Sequence, residues 1–469
     1  MPSGHVSPYT IDRTTSQIVL VLKMTGFKDK EIKDGSNSRE YGHLGDQKLK
    51  KQGMKRIAFI TLGCKLNYAE TSTYERELLK EDFEAVSWNK GADVFVVNTC
   101  TVTEHSDKKS RNIIRKLHRQ NPEAKIYVTG CSAQLRRADY EAIEGVQRVF
   151  GATEKSAIVP TILADVRGAE CCGQGVGTFF PAYSSGERTR SFLKVQDGCD
   201  YKCHYCTVPY ARGESRNIPI SEIIPQAEAI AAEGIKEIVL TGVNTGDFGR
   251  TTGESFFDLI RQLNDVDGIE RYRISSIEPN LLTEEMIDWI TSGTKFLPHY
   301  HIPLQSGCDT ILREMGRRYD TAAFAHKIQY IRERSEVPGG LKVFFGIDVI
   351  VGFPGETDEL FEETYTFLRD VVRPAFIHIF PYSRRAGTPA AARKDQVQDS
   401  VKTQRVQRLE ELCQQLHEEF MKQHEGMTAN VLFESTDRKG MMEGYTENYI
   451  RVSVPFDPEK IGKIVGVTI

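Results

Sequence analysis

Three closely spaced cysteines are the residues of this sequence best suited to chemistry. Cys199, Cys203 and Cys206 lie within the single short run 199–206. Thiolates at this spacing can bind three irons of one 4Fe-4S cluster, which leaves the fourth iron open to bind and reduce a small molecule. Zinc is the alternative, but structural zinc normally takes four ligands in two pairs, and no second pair follows. His204 is too tightly placed inside the loop to act as a ligand, so the spacing favours a redox cluster.

The same loop resembles the signature of the radical S-adenosylmethionine (SAM) enzymes, because the aromatic residue Tyr205 precedes the last cysteine. In that family the open iron binds the amino and carboxylate groups of SAM, and electron transfer cleaves the sulfonium to give a 5′-deoxyadenosyl radical. The resemblance implies that Cys199, Cys203 and Cys206 hold the catalytic cluster. It also implies SAM as a cofactor and an electron donor, which the sequence does not identify.

Composition limits the class of protein. A chain of 469 residues is too long for one ordinary core and predicts two or three domains. Hydrophobic residues make up 39% and charged residues 27%, as in soluble globular proteins, and no apolar run approaches the roughly 18 residues of a membrane helix. Ten cysteines are too sparse for a secreted disulfide scaffold, so we expect a cytoplasmic protein without membrane association. With a net charge of −4, any RNA contact must come from local basic patches.

The first 53 residues show no core-forming pattern, whereas Met54 opens a run typical of a first strand. We interpret 1–53 as a non-functional extension, either disordered or produced by a misassigned start codon. From there to residue 165, short apolar runs at 56–62, 93–99 and 125–129 alternate with helical stretches, which predicts a parallel sheet. Cys64, Cys100 and Cys131 each follow one of these strands. Because the carboxyl ends of parallel strands face one crevice, we expect the three cysteines to converge.

The sequences around these cysteines resemble the three N-terminal motifs of the methylthiotransferases. The motifs span 62–67, 98–103 and 129–134. In that family the three cysteines hold a second, auxiliary 4Fe-4S cluster, and its open iron carries the sulfur that is transferred. Asn67, Asn98 and Gln134 either orient the loops around this cluster or serve ordinary capping and turn roles. The resemblance implies a flavodoxin-like domain over 54–165, followed by a linker, 166–187, in which Cys171 and Cys172 have no assigned role.

Six further strand candidates, separated by helices, occupy the domain expected at 188–400. They are 192–196, 237–241, 272–276, 299–304, 343–351 and 376–381. Six repeats resemble the partial (β/α)6 barrel of radical SAM enzymes, whose reactive groups lie at the carboxyl ends of the strands. The resemblance implies SAM contacts at these ends, although 241–244 departs from the two glycines and an acid that many members carry. The implied residues are Tyr205, Thr241, Gly242, Asn244, Ser276, Glu278, Gln305, Gly352 and Glu356.

Basic residues suggest how RNA binds. The helix at 106–120 carries several on its outer side, suited to tRNA phosphate; they are Lys108, Lys109, Arg111, Arg115, Lys116 and Arg119. Arg212 and Arg216, after the cysteine loop, are interpreted either as SAM or substrate contacts or as parts of a salt-bridged structural loop. A linking helix, 401–425, precedes short strands at 426–469 that resemble the small β-barrel RNA-binding module, the TRAM domain, although this one is shorter than usual.

The motif details are most similar to enzymes that act on N6-threonylcarbamoyladenosine, the modified base beside the tRNA anticodon, and add a methylthio group at C2 of adenine. We therefore expect a tRNA methylthiotransferase with two 4Fe-4S clusters and SAM, acting as a monomer. Lys65 and Leu66 match neither the relatives that act on isopentenyladenosine nor those that act on a ribosomal protein side chain. Those two activities remain the alternatives, together with a non-enzymatic iron-sulfur RNA-binding protein.

Overall fold

The computed structural model describes residues 54–101, 103–169, 179–186, 189–434 and 440–469. The predicted extension, 1–53, lies outside the described residues, as do Cys171 and Cys172. The described chain forms two compact units. Of the described residues, the N-terminal unit contains those from Met54 to Ser184 together with Tyr210–Gly213, and the second unit contains those within Ser185–Pro209 and Glu214–Ile469. The segment Tyr210–Gly213 thus belongs to the N-terminal unit by its contacts, although it follows the cysteine loop 199–206 in the sequence.

The N-terminal unit is built on a sheet of five parallel strands. In chain order these are β1 (Lys55–Thr61), β2 (Phe83–Ala85), β3 (Val94–Thr99), β4 (Lys125–Gly130) and β5 (Val146–Val149). Their order across the sheet is β2-β1-β3-β4-β5, which is the doubly wound order of flavodoxin-like folds. The prediction of a parallel flavodoxin-like sheet is confirmed.

Helices cover both faces of this sheet. They are Lys65–Leu78, Glu104–Gln120, Cys131–Leu135, Arg137–Glu141 and Ile158–Arg167. Since neighbouring strand residues point to opposite faces, Phe95 packs in one core with Ile114. Val96 packs in the other core with Tyr74. Burial on both faces explains why the central strand β3 reads as an unbroken apolar run rather than as an alternating one.

The second unit contains a row of six parallel strands. They are β6 (Arg190–Lys194), β7 (Glu237–Thr241), β8 (Arg271–Ile274), β9 (His299–Gln305), β10 (Phe344–Val351) and β11 (Phe376–Pro381). They pair in chain order, and single bridges, Tyr272 to Phe296 and Ser276 to His301, connect the two three-stranded halves. Within the described residues β6 and β11 each pair with one neighbour only, so this is the predicted partial (β/α)6 barrel.

Helices accompany these strands along the chain. They are Val208–Arg212, Ile220–Ala232, Phe256–Asn264, Glu284–Ile290, Asp309–Glu314, Thr321–Ser335, Asp358–Thr366, the π-helix Phe367–Val372, Pro389–Ala392 and Asp399–Lys422. The last of these is the predicted linking helix, and it buries Leu409, Leu412 and Leu416 along one stripe. Among the described helices, none is long and apolar enough to cross a membrane.

The chain ends in a small antiparallel sheet, here called the C-terminal module. Its strands are β12 (Thr428–Phe433), β13 (Met441–Tyr445), β14 (Arg451–Pro455) and β15 (Ile464–Thr468), in the order β14-β13-β12-β15. A small core of Val431, Phe433 and Met442 supports it. The strand β14 begins only at Arg451, because Tyr449 just before it has a positive φ of 68° at the end of a turn.

A buried group of charges joins this module to the amino-terminal ends of the barrel strands. Arg273 donates to Glu237 at 2.9 Å and to the carbonyl of Thr446 at 2.8 Å. Arg190 donates to Glu434 at 2.7 Å. Glu237 is fully buried, and its charged partners compensate for the loss of water. The module therefore closes the end of the barrel opposite to the strand ends that carry the candidate site.

Candidate active site

The three N-terminal cysteines lie together at one edge of the five-stranded sheet. Cys64 caps the helix that follows β1, Cys100 comes directly after β3, and Cys131 opens the helix that follows β4. The register pairs Thr61 with Asn98, and Asn98 in turn with Thr129, so the three strands end level with one another. The structure thus places these cysteines in adjacent loops, as the sequence predicted.

Gly63 allows Cys100 to sit close to the loop after β1. Its φ is +102°, and a Cβ added there would lie 2.7 Å from both Cβ and Sγ of Cys100. Such a distance is well below ordinary van der Waals contact, and the backbone conformation itself favours glycine. Gly63 is therefore required for the close approach of the two cysteine loops.

Asn67 connects the cysteine loops through its buried side chain. Its Nδ2 donates to the carbonyl of Leu62 at 2.9 Å and to that of Thr99 at 3.0 Å. Its Oδ1 lies 4.0 Å from the sulfur of Cys64. Asn98 extends the network by donating from Nδ2 to the backbone carbonyl of Asn67 at 3.1 Å. Both residues therefore hold the loops, which is the first of the two roles left open for them.

Gln134 has a similar part at the third loop. Its Oε1 accepts a hydrogen bond from the backbone N–H of Ala152 at 2.8 Å. This contact ties the short helix that begins at Cys131 to the chain after β5. Gln134 thus positions the loop that carries Cys131.

Arg212 reaches the same group of residues from the segment Tyr210–Gly213. Its Nε lies 3.2 Å from the sulfur of Cys131, and one terminal nitrogen donates to Asn67 Oδ1 at 2.6 Å. The other donates to Glu70 Oε1 at 3.2 Å, and Lys155 donates to the same oxygen at 2.7 Å. Of the two interpretations of Arg212, contact with SAM or a structural salt bridge, its buried pairing with Glu70 matches the second.

The donor set suits an iron-sulfur cluster. Burial raises the pKa of the Cys131 thiol, and Arg212 and Lys155 act against that rise. Thiols must lose their protons to bind iron, so a nearby cation favours the ligand form. Three cysteine sulfurs with positive charge beside them fit a cluster that keeps one iron open.

The second group of cysteines lies in the loop after β6, in the other unit. The backbone N–H of Tyr201 donates to Cys199 Sγ and that of Val208 to Cys206 Sγ, both at 3.4 Å, while Arg317 lies 3.1 Å from Cys203 Sγ. Burial raises the pKa of Cys199 and of Cys206 to about 12. These N–H groups and the arginine are suited to stabilising thiolate sulfur once iron is bound.

His204, inside the cysteine loop, contacts the backbone of another segment. Its ring Nδ1 lies 2.7 Å from the carbonyl of Glu314, and its backbone N–H donates to the carbonyl of Met315 at 2.9 Å. These contacts anchor the cysteine loop to the chain after β9. Their effect is to hold the loop in place.

Gln196, which the sequence analysis did not single out, holds the loop after β7 beside the cysteine loop. Its Oε1 accepts from the backbone N–H groups of Val243 and Asn244, each at 2.9 Å. Its Nε2 donates to the carbonyl of Gly198 at 2.8 Å. A Cβ on Gly242 would lie 2.9 Å from Gln196 Oε1, so glycine is required there. The sequence feature that could have indicated this role is a polar residue, Gln196, at the end of the predicted apolar strand 192–196.

Asn244 carries a feature expected of a ligand contact. It is 3% exposed, and neither Oδ1 nor Nδ2 has a hydrogen-bond partner among the residues that the structure describes. Burying an unpaired amide is costly, so such a group usually has a partner that is missing from the protein alone. Thr241, by contrast, uses its hydroxyl on the carbonyl of Val239 at 3.1 Å.

Glu278, which follows β8, and Arg317, which follows the helix Asp309–Glu314, form an ion pair. Burial raises the pKa of Glu278, and Arg317 opposes that rise. Arg317 also lies 3.3 Å from the hydroxyl of Tyr205. Ser276 bridges to His301, and Gln305 has a positive φ of 68° where β9 ends. The structure therefore brings Tyr205 and Glu278 to the same side chain, that of Arg317.

Glu356 acts on the loop that contains it. Its Oε2 accepts from the backbone N–H of Gly352 at 2.6 Å and from Arg405 at 2.7 Å. Gly352 has a φ of +73°, and a Cβ there would lie 2.4 Å from Lys402. The carboxylate thus holds the conformation of the loop. The part played by Arg405 was not predicted, because nothing in the sequence of its helix indicates this pairing.

A polar cluster on the middle of β9, β10 and β11 was also missed. His301 Nε2 lies 2.7 Å from Asp348 Oδ1, and the rings of His301 and His378 stack with centroids 4.9 Å apart. The possible ligand atoms of His301, Asp348 and His378 all lie within 4.8 Å of one another, an arrangement that could hold a metal ion. Despite burial, the two histidines hold the pKa of Asp348 below its usual value. The sequence feature that could have indicated this cluster is the presence of polar residues inside otherwise apolar strands.

Comparison with known proteins matches three parts of the chain. Residues 56–151 match the model described as "Uncharacterized protein family UPF0004", 193–368 match the radical SAM superfamily, and 422–469 match the TRAM domain. The middle match agrees with the strand-end site and implies a 4Fe-4S cluster with SAM. The structure of the TsrM methyltransferase from Kitasatospora setae is similar in fold, with a TM-score of 0.53 at 14% identity over 72% of this chain and 77% of that one.

Curated relatives cover nearly the whole chain. A "Threonylcarbamoyladenosine tRNA methylthiotransferase MtaB" of Bacillus subtilis (strain 168) is 40% identical over 89% of this chain and 94% of its own. A relative of the same name from Aquifex aeolicus (strain VF5) is 35% identical over 88% and 100%. A "tRNA-2-methylthio-N(6)-dimethylallyladenosine synthase" of Staphylococcus haemolyticus (strain JCSC1435) is 33% identical over 91% and 85%. This chain therefore belongs to the tRNA methylthiotransferase family of radical SAM enzymes.

Proposed function

We propose that this enzyme adds a methylthio group to C2 of N6-threonylcarbamoyladenosine next to the anticodon of tRNA, using SAM and two 4Fe-4S clusters. The observation that carries the proposal is the convergence of Cys64, Cys100 and Cys131 at level strand ends. A radical SAM enzyme that only cleaved SAM would need no second set of three cysteines. The relatives that bear this printed activity at 40% and 35% identity support the choice of base.

The two sets of cysteines have different roles in this proposal. Cys199, Cys203 and Cys206 hold the catalytic cluster, and Cys64, Cys100 and Cys131 hold the auxiliary cluster. When bound, these groups supply one-electron cleavage of SAM and the sulfur for transfer. The chain itself fixes the sulfur ligands through Asn67, Arg212 and the backbone N–H groups of Tyr201 and Val208.

The strand ends position SAM. The loop of Thr241, Gly242 and Asn244 is assigned to the amino group of SAM. Gln196 fixes its backbone, and the buried Asn244 amide has no partner within the described part of the chain. Arg317 places a cation beside Cys203 that suits the SAM carboxylate. We assign the remaining contacts to the ribose, the carboxylate and the adenine of SAM. They are Tyr205, Ser276, Glu278, Gln305 and Gly352, with Glu356 acting by shaping its loop.

The partners follow from the same assignment. Lys108, Arg115 and Arg119 are exposed on the helix Glu104–Gln120, where they can contact tRNA phosphate. The C-terminal module supplies a second RNA-binding surface, since residues 422–469 match the TRAM domain. The enzyme acts as a monomer in the cytoplasm, where tRNA is modified, with a separate protein as electron donor.

Expression in a host that lacks an enzyme of this class tests the proposal. Mass spectrometry of tRNA nucleosides should reveal 2-methylthio-N6-threonylcarbamoyladenosine, and the variant with Cys64, Cys100 and Cys131 all changed to Ala should yield none. The same variant should keep the catalytic cluster, with about four irons where the parent holds about eight. If this variant kept both its full iron content and its product, the proposal of an auxiliary cluster on these cysteines would be wrong.

Isopentenyladenosine in tRNA is the second candidate substrate. It is favoured by the relative whose printed name is a dimethylallyladenosine synthase, at 33% identity. The same analysis of nucleosides decides, because the methylthio derivatives of the two bases differ in mass. A product only on isopentenyladenosine would replace the first substrate by the second.

A further inference from the structure

We infer that Arg212, Glu70 and Lys155 set the reduction potential of the auxiliary cluster, with Arg212 as the positioning residue that touches its ligand. This rests on the proposed function, since it presumes a cluster on Cys64, Cys100 and Cys131. Arg212 Nε lies 3.2 Å from the sulfur of Cys131. Hydrogen bonds to ligand sulfur and local net charge are the main ways in which a protein adjusts such a potential.

The guanidinium of Arg212 is held in one orientation. Its terminal nitrogens are committed to Asn67 Oδ1 at 2.6 Å and to Glu70 Oε1 at 3.2 Å. With both terminal nitrogens engaged in this way, Nε faces the sulfur of Cys131. The rigid fork of arginine allows three such contacts at once, which the single ammonium of lysine does not.

Charged groups lie beside this contact. Arg212 and Lys155 are each 3% exposed, and both donate to Glu70, which is fully buried. Buried charges interact strongly because water screens them little. A change of charge at any of these three residues therefore changes the electrostatic potential at the sulfur of Cys131.

The direction of the effect follows from electrostatics. Positive charge beside the sulfur stabilises the reduced, more negative cluster and so raises its reduction potential. Removing Arg212 or Lys155 therefore lowers the potential, whereas removing the negative charge of Glu70 raises it. A purely structural role would change iron content or stability but would not give opposite shifts for Lys155 and Glu70.

The test uses the full chain with Cys199, Cys203 and Cys206 changed to Ala, so that only the auxiliary cluster is present. Iron is counted after anaerobic reconstitution, and the potential is measured by titration monitored by electron paramagnetic resonance. About four irons in this parent are required by the proposed function. Absence of iron there would count against the proposed function itself, before Arg212 is considered.

The variants Arg212→Gln, Lys155→Gln and Glu70→Gln are then compared with this parent. We expect a lower potential for the first two and a higher one for the third, with iron retained in at least the Lys155 and Glu70 variants. Arg167→Gln is the matched control, because it removes one positive charge from the same unit at a side chain that is 52% exposed. It should leave the potential unchanged. Unchanged potentials in Lys155→Gln and Glu70→Gln, or shifts in the same direction, would overturn the inference, as would iron loss in all three variants.

Discussion

Gln196 and Asn244 are joined by a 2.9 Å hydrogen bond from the backbone N–H of Asn244 to the Gln196 side-chain oxygen. The bond fixes the loop after β7 to the end of β6, where the cysteine loop begins. The same oxygen also accepts from Val243, so one side chain sets the positions of two elements of the SAM site. The site is therefore preorganised by a residue that need not touch SAM.

Replacing Gln196 by Ala should weaken SAM binding while iron is retained. The two backbone N–H groups would lose their buried acceptor, at about 1–3 kcal/mol each, so we expect SAM affinity to fall by roughly 10-fold or more. Equilibrium dialysis with reconstituted protein measures this. Gln196→Glu, which keeps an acceptor, should be less affected. Equal SAM affinity in the parent and in Gln196→Ala would show that the loop is held in another way.

Replacing Gly63 by Ala should disrupt the auxiliary site. The added Cβ would lie 2.7 Å from Cys100 Sγ, so the two cysteine loops must separate. We expect the iron count to fall toward half, with the catalytic cluster kept. Gly168→Ala is the control, because Gly168 also has a positive φ, +68°, but no described atom lies within 4 Å of a Cβ added there. Similar iron loss in both variants would mean that backbone strain, and not contact with Cys100, is the cause.

Replacing Asn67 by Ala should destabilise the N-terminal unit and release the auxiliary cluster. The carbonyls of Leu62 and Thr99 would lose their donor, at a cost of about 1–3 kcal/mol in the free energy of unfolding. Chemical denaturation of the metal-free protein and an iron count measure the two effects. The exposed Asn89→Ala is the control and should change neither. Normal iron content in Asn67→Ala would contradict the role given to Asn67.

Acid should weaken the attachment of the C-terminal module through Glu237. Burial alone would raise the pKa of Glu237, but Arg273 and Arg190 outweigh it and hold this pKa below 4.5. A carboxylate with a lowered pKa adds stability above its unfolded value, and this stability is lost as pH falls through the folded value. The contribution is therefore complete above about pH 4.5–5 and disappears at lower pH.

Glu237→Gln tests this account by unfolding measurements between pH 3 and pH 7. Near neutral pH the variant should be less stable by roughly 3–5 kcal/mol, because Arg273 and Arg190 keep buried charge without its partner. The difference from the parent should shrink as the pH falls. Glu81→Gln removes a carboxylate that is 40% exposed and should cost about 0–1 kcal/mol. A difference for Glu237→Gln that is constant with pH would contradict the assigned pKa direction.

Periodicity predicted most of the fold because the strands of parallel sheets are buried on both faces. Apolar runs such as 237–241 and 376–381 coincide with β7 and β11 in full. The strands β2 and β5 were not predicted, because they are three and four residues long and lie at the sheet edges. The strand β13 was also missed, and Gly444 interrupts its pattern.

The cysteines of the site could be read from sequence because their type and their place after strands are local signals. The residues that position them could not. Gln196 pairs with Val243 and Asn244, and Arg405 pairs with Glu356, across about 50 residues. Arg212 lies near Cys206 in the sequence but contacts Cys131. Such pairings depend on tertiary structure, which no local pattern encodes.

The most direct test of the central claim uses purified, reconstituted enzyme with SAM, a chemical reductant and three tRNA preparations. One carries N6-threonylcarbamoyladenosine, one carries isopentenyladenosine, and one lacks both modifications. The account predicts a methylthio product on the first tRNA alone, accompanied by 5′-deoxyadenosine, and no product when Cys64, Cys100 and Cys131 are changed to Ala. Full cluster content and SAM cleavage without a product on the first tRNA would contradict it.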